Sequence, residues 1–261
     1  ALVVIMVYPC LHVLFASLSD SSELMKSGGF LIYPKGFTLN AYLEVFKNQL
    51  IWSGYGNTIL NLVLALAFNI SLTTLGAYAL SRKELMIRRP IMLMIIFTMF
   101  FSGGLIPNYI LVRSLGMVDT RWALFIPTAI SAYNLIIMRT SFEAIPDTLI
   151  EAAKLDGASD ARVFFQVVLP MSKPILVYTI ISSFMVPWTD FVMAKMILNS
   201  GVSADWTVAI GLYNMLQKTL INNYFALFCA GGVLVSIPIS ILFVIMQKFY
   251  VEGITSGADK G

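Results

Sequence analysis

Apolar and polar positions fall in long blocks along this chain. Six apolar stretches approach the ~20 residues that a membrane-crossing helix needs: roughly 1–18, 57–80, 91–112, 122–140, 174–196 and 224–247. Residues 19–54, between the first two, hold the polar run Asp20-Ser21-Ser22-Glu23 and room for a short helix around Asn40 to Lys47. Asn57-Thr58 is expected to open the second stretch. The pattern predicts an all-α, polytopic membrane protein with six transmembrane helices.

Charge orients these helices. Residues 81–90 read Ser-Arg-Lys-Glu-Leu-Met-Ile-Arg-Arg-Pro, with Arg82, Lys83, Arg88 and Arg89 in one short loop. Short basic loops stay on the cytoplasmic side. Alternation then places the loop around 151–170 in the cytoplasm as well, and the 197–223 segment outside. The chain begins at Ala1 inside an apolar run, with neither a methionine nor a basic leader. Residues 1–18 are therefore read as a first span whose cytoplasmic leader is missing, not as a cleaved signal peptide.

Composition agrees with this class. Hydrophobic residues make up 58% of the chain and charged residues 12%, where a soluble domain carries about 25% charged residues. The partner implied is membrane lipid. The net charge of +3 is too small to argue for nucleic acid. His12, Cys10 and Cys229 lie in apolar runs without metal-ligand spacing, so no metal site and no disulfide framework is expected. No phosphate-binding G-x-x-x-x-G-K-[ST] occurs. If ATP drives this protein, the ATPase is another chain, and the expectation is that this chain binds no cofactor.

One stretch breaks the apolar pattern. Residues 151–170 read Glu-Ala-Ala-Lys-Leu-Asp-Gly-Ala-Ser-Asp-Ala-Arg-Val-Phe-Phe-Gln-Val-Val-Leu-Pro. Just before it, Pro146 suits a first helical turn and Asp147 complements the positive end of the helix dipole. Residues 147–155 are expected to form about two and a half turns, with Leu149, Ala152, Ala153 and Asp156 on neighbouring faces. Ala152 and Ala153 are small enough to let another surface approach the backbone. Gly157 supplies the freely chosen φ of a chain reversal. A second short helix, roughly Asp160 to Leu169, is expected to stop at Pro170. Two features disfavour an isolated helix: Asp147 and Glu151 are like charges four residues apart, and Asp156 sits near the negative end of the dipole. A basic partner surface would ease both; a solvated loop is the plainer alternative.

Glu151, Ala152, Ala153, Gly157, Val167, Leu169 and Pro170 together resemble the loop by which permease subunits of ATP-binding-cassette importers dock onto their ATPase. Val167 stands where that pattern has isoleucine. Ala77-Tyr78-Ala79-Leu80-Ser81-Arg82 resembles the end of the second span in the carbohydrate-importing branch. Residues 101–109 and 132–142 resemble its oligosaccharide and polysaccharide-fragment subgroup, an alginate importer among them, and the tail from Glu252 to Gly261 resembles natural C-termini there. Residues 186–191 depart from the family's Trp-Asn with Thr189, and the usual Pro-Leu-Gln of the last outer loop is absent near Asp205-Trp206-Thr207. Both departures bear on which sugar is carried.

The resemblance implies a type I importer permease fold: one transmembrane domain over 1–261, with a cytoplasmic ATPase-docking loop at about 143–172. Its docking residues would be Glu151, Ala152, Ala153, Asp156, Gly157, Leu169 and Pro170. The implied partners are a second permease subunit, two ATPase subunits holding ATP and Mg, and an extracytoplasmic sugar-binding protein. The implied location is the bacterial inner membrane.

Pathway residues are sought where polar groups interrupt apolar stretches. Asp190 lies about 16 residues into the fifth stretch, roughly 24 Å along at 1.5 Å per residue. An ionisable group at membrane depth marks a pathway or an interface. Trp188 offers a face on which a sugar ring stacks, and Lys195 is expected to snorkel to the interface. Tyr133 and Asn134, in the fourth stretch, fit either a pathway or interhelical hydrogen bonding. Gly103, Gly104 and Pro107 fit irregular backbone beside a cavity or close helix packing. An ion-coupled secondary transporter using Asp190 is the rival reading. An intramembrane enzyme ranks last, for want of a nucleophile–base pair or paired carboxylates.

Overall fold

The computed structural model describes residues 2–26, 30–198, 205–222 and 225–258, and among them every regular element is a helix. In chain order these are α1 (Leu2–Ser17), α2 (Ser21–Lys26), α3 (Asn40–Lys47), α4 (Gln49–Ser81), α5 (Arg88–Phe100), α6 (Leu105–Ser114), α7 (Trp122–Phe125), α8 (Ala132–Glu143) and α9 (Asp147–Leu155). They continue as α10 (Asp160–Met171), α11 (Lys173–Thr189), α12 (Val192–Ile197), α13 (Val208–Asn222) and α14 (Phe225–Ala258). Residues 199–204, within the expected outer loop, and the last three of the tail lie outside the described residues.

Two of these helical segments, Gln49–Ser81 and Phe225–Gln247, are long and apolar enough to cross a membrane. Asp160–Met171 and Lys173–Thr189 add a third if the pair, bent by 83°, is read as one span. The other expected spans are short or broken, for local reasons. Leu2–Ser17 has 16 residues. The third stretch divides into α5 and α6 at 101–104, where Gly104 takes φ +84, a conformation that costs an L side chain energy and glycine little. The fourth divides into α7 and α8 around 126–131, at Pro127, whose ring disfavours the helix before it. The fifth divides at Asp190 and Phe191.

The chain forms two compact units. In the unit of 1–60 and 189–244, Ala16, Leu24, Leu31, Ala226 and Cys229 make one buried cluster, and Val45, Ile51, Met215 and Ala230 another. Asn57 and Thr58 do not open a helix here, because α4 already begins at Gln49. They hold a strand-free segment instead: Asn57 Nδ2 donates to the Trp206 carbonyl at 3.1 Å, and Thr58 Oγ1 accepts from the Val208 N–H at 2.9 Å.

In the unit of 61–188 and 245–261, the core draws on five helices. Ala77 and Leu80 of α4, Met92 of α5, Leu135, Met138 and Phe142 of α8, Ile150 of α9, and Val163, Phe164 and Val168 of α10 are buried together. Phe142 meets Phe164 edge-on at 6.5 Å between ring centres, and Tyr78 lies 5.0 Å from Phe164. Both short helices of the 143–172 loop are thus anchored to the long ones by this core. Phe142→Ala is expected to cost about 3–5 kcal/mol, the usual range for a buried phenylalanine. A lowered unfolding midpoint of the detergent-solubilised protein would register it; an unchanged midpoint would remove Phe142 from the core.

Candidate functional site

The 143–172 loop is built from local rules. Asp147–Leu155 is helical as the sequence predicts, with Pro146 extended just before it. At its end the Gly157 N–H donates to Lys154 O and the Ala158 N–H to Ala153 O, both at 3.0 Å. Those two bonds, with Gly157 at φ +81, make a Schellman stop. A Cβ at Gly157 would meet nothing within 4 Å, so its backbone angle, not crowding, calls for glycine. Ser159 then caps α10, accepting from the Arg162 N–H at 3.4 Å.

The second helix differs from expectation. It does not stop at Pro170 but runs through it to Met171, and the chain bends at Ser172. A π turn over Phe164–Val168 precedes the proline, with the Leu169 N–H donating to Phe164 O. Pro170 has no N–H to give the regular ladder and crowds the turn before it. A wider turn there lets the helix continue. Leu169 is half-buried against the core and Pro170 is exposed.

The faces of α9 divide cleanly. Ile150 is buried, and Ala153 packs half-buried against the same core. Glu151, Ala152 and Asp156 are exposed, and Leu155 is 90% exposed between them. Positions 151, 152, 155 and 156 adjoin on a helix. They form one acidic-and-apolar ridge. Ala153 therefore serves packing within this chain, and Leu155, which the motif does not mark, is the ridge's largest apolar side chain.

Ion pairs brace the loop. Lys83 Nζ lies 2.9 Å from Asp147 Oδ2, and Lys154 Nζ lies 3.0 Å from Asp160 Oδ1 across the Gly157 turn. The Lys83 ammonium holds the Asp147 carboxyl below its ordinary range, first through their hydrogen bond and then through their charges. Glu143 Oε1 receives both Arg88 Nη1 at 3.1 Å and Arg139 Nη2 at 2.6 Å. Arg139 Nε also donates to Leu80 O at 3.1 Å. The basic 81–90 loop also braces this one: its own Lys83, not a partner, relieves the charge of Asp147. Glu151 and Asp156 have no ion pair among the described residues.

A second constellation lies among α4, α8, α11 and the break at 126–131. Ser183 Oγ donates to Asn69 Oδ1 at 2.7 Å, and Asn134 Nδ2 donates to Ser183 Oγ at 3.3 Å. Ser182 Oγ donates to Asn134 Oδ1 at 3.1 Å, and Asn69 Nδ2 to Thr128 O at 3.1 Å. These groups border a cavity of ≈ 270 Å³, walled also by Ala65, Ile130, Ser131, Val186 and Pro187. Of the two expectations for Asn134, hydrogen bonding between helices is met, and the same residue borders the cavity.

The other candidates lie elsewhere. Tyr133 is 52% exposed and does not border this cavity. Trp188 is 4% exposed, and one ring face is covered by Phe184 in a parallel stack at 5.6 Å. It is not an open stacking platform. Asp190 stands in the break after α11, where its Oδ1 accepts the Met193 N–H at 3.2 Å and so caps α12. Lys195 does not reach away alone: its ammonium lies 5.3 Å from the centre of the Trp206 ring and 6.0 Å from that of Tyr213. No motif or spacing in the sequence singles out Asn69 or Ser182, each of which lies in a long apolar stretch. Among the described residues, no cluster of His, Cys, Asp and Glu has the arrangement of a metal site.

The family model for the binding-protein-dependent transport system inner membrane component matches residues 86–256. The chain is 34% identical to the polygalacturonan/rhamnogalacturonan transport system permease protein YtcP of Bacillus subtilis, over 98% of this chain and 93% of that protein. It is 32% identical to the galactooligosaccharides transport system permease protein GanQ of the same species, over 99% and 92%. Among solved structures it resembles a bacterial ABC transporter involved in the import of the acidic polysaccharide alginate, with a TM-score of 0.83, 28% identity, and 95% and 92% of the two chains covered.

Proposed function

As the chain belongs to the family of binding-protein-dependent transport system inner membrane components, we propose that it is one permease half of an ATP-driven importer for an oligosaccharide or polysaccharide fragment. The relatives' names specify carbohydrates of that kind, and the function class follows from them. The ion-coupled alternative has no support, since the family is binding-protein-dependent and the Asp190 carboxylate caps a helix.

The finer reading concerns assembly. The chain works as a single six-span domain in the bacterial inner membrane, with the broken stretches completing their crossings as bent pairs. It pairs with a second permease subunit. Two ATPase subunits, which hold the ATP and Mg, dock on the 143–172 loop from the cytoplasm. A sugar-binding protein delivers cargo from outside. ATP binding closes the ATPases, moves the docking helices and opens the pathway outward; hydrolysis resets it. This chain carries out no chemistry itself.

The observation that supports docking at this loop is the division of α9. Ile150 and Ala153 fasten it to the chain's own core, while Glu151, Ala152, Leu155 and Asp156 stay exposed. Glu151 and Asp156 suit a basic surface, and Leu155 an apolar recess. A rigidly anchored helix with an uncovered ridge transmits a push from a partner to α4, α5 and α8, whose side chains share its core.

Affinity purification of the tagged chain from native membranes, followed by mass spectrometry, tests this. An ATPase and a second permease in the eluate are expected. Recovery of the chain alone, even after cross-linking, would overturn the proposal.

A further inference from the structure

We infer that the cavity bordered by Asn69, Asn134, Ser182 and Ser183 is a subsite for an uncharged, hydroxyl-bearing part of the transported carbohydrate. The inference rests on the importer reading and adds where, and for what chemistry, this chain touches its cargo.

The cavity's backbone is the first argument. The 126–131 break interrupts a stretch that is apolar enough to be read as a span. Non-helical backbone at membrane depth is stable where it is buried in protein or lines a cavity. Pro127, Thr128, Ile130 and Ser131 all border this one. Broken helices of this kind commonly flank transported cargo.

Its polar groups are the second. Asn69, Asn134 and Ser183 are each more than nine-tenths buried. Each asparagine amide offers two N–H donors. Asn69 gives one to Thr128 O and Asn134 gives one to Ser183 Oγ. The mutual bonds fix both amide planes and leave a second donor on each. The Ser131 Oγ accepts from the Asn134 N–H, which leaves its own hydroxyl proton to give. Convergent neutral donors and acceptors, held in place, suit sugar hydroxyls, which both give and take hydrogen bonds.

Size and charge narrow the class. A volume of ≈ 270 Å³ equals about nine water molecules at ~30 Å³ each, the scale of one pyranose ring with its hydroxyls. Ala65, Ile130 and Val186 offer apolar wall to ring C–H groups. Among the described residues, no charged side chain borders the cavity. A uronate carboxylate entering it would give up water without meeting a cation, and burying an unpaired charge is costly. The bordering residues therefore favour a neutral sugar unit over an acidic one.

The test uses the whole importer in proteoliposomes, with this chain, its permease partner, ATPase and saturated binding protein. The probes are maltotetraose and galactotetraose as neutral oligosaccharides and tetragalacturonate as an acidic one. The readout is sugar imported per ATP hydrolysed. A weakened hold lets sugar return outward while ATP is still consumed, whereas a poorly folded variant lowers both quantities together. Import of a neutral probe is expected. Ser182→Ala should lower the ratio about fivefold and Asn134→Ala about tenfold or more, the scale of one and of two lost hydrogen bonds. An unchanged ratio in both variants, or tetragalacturonate carried at the ratio of the neutral probes, would overturn the subsite and leave the importer standing. A complex that lacks an ATPase, or that moves none of the three probes, would overturn the importer reading instead.

Discussion

Gly157→Val is expected to reduce ATP-driven uptake to below about a tenth of the normal rate while the chain still reaches the membrane in normal amount. Gly157 sits at φ +81. That region costs an ordinary L residue about 1–2 kcal/mol, and a β-branched side chain is among the least tolerant of it. The cost falls on one turn. Because a Cβ there would touch nothing within 4 Å, the rest of the unit has no reason to rearrange. The turn itself would open, and with it the bonds from Gly157 to Lys154 and from Ala158 to Ala153. The end of α9 would then no longer be fixed against α10, and the ridge just before the turn would lose its position. The side-chain series separates this cause from simple bulk. Asparagine, which tolerates the left-handed region, should retain most uptake, alanine less and valine almost none. Uptake assays with immunoblots of the membrane fraction check the order. Normal uptake by the valine variant, or equal loss in all three, would remove the backbone argument.

That turn was legible in the sequence because its causes are local. A glycine after two helical turns and a proline before them act over a few residues, and Asp147–Leu155 forms as they predict. The short helix Asn40–Lys47 is legible for the same reason. The cavity is not local. Its bonds join Asn69 to Thr128 across 59 positions and to Ser183 across 114. No spacing rule connects a lone asparagine in one apolar stretch with a serine in another. The break in the fourth stretch did carry a signal, Pro127, but apolar length outweighed it in the reading of spans. Asp190 is a different case. A carboxylate at membrane depth is costly enough to suggest transport, yet capping a short helix across a break is another way to satisfy it. Lys83 was hidden by a sufficient explanation, since a basic loop already oriented the chain and asked for no further role.

Leu155→Asp is expected to strip the ATPase from the complex while leaving the chain as stable as before. At 90% exposure the Leu155 side chain contributes almost nothing to this chain's own core. Surface substitutions of that kind usually change stability by no more than about 0.5 kcal/mol. Covered by a partner, the same side chain would contribute about 1.5–3 kcal/mol through apolar burial. Aspartate forfeits that contribution and sets a third negative charge beside Glu151 and Asp156, on a ridge with no ion pair of its own among the described residues. A combined loss of about 3 kcal/mol corresponds to roughly a hundredfold weaker association. Leu155→Ala, which removes only the apolar part, should weaken it about tenfold. Ile150→Asp forms the contrasting case, because Ile150 is buried in the core and its replacement should unfold the unit before docking can be asked about. Co-purification of the ATPase with the tagged variants, beside their unfolding midpoints in detergent, reads both quantities. Full recovery of the ATPase with Leu155→Asp would mean that the ridge is not the docking face. Lost recovery at an unchanged midpoint would assign the ATPase contact to a residue that the family motif leaves unmarked.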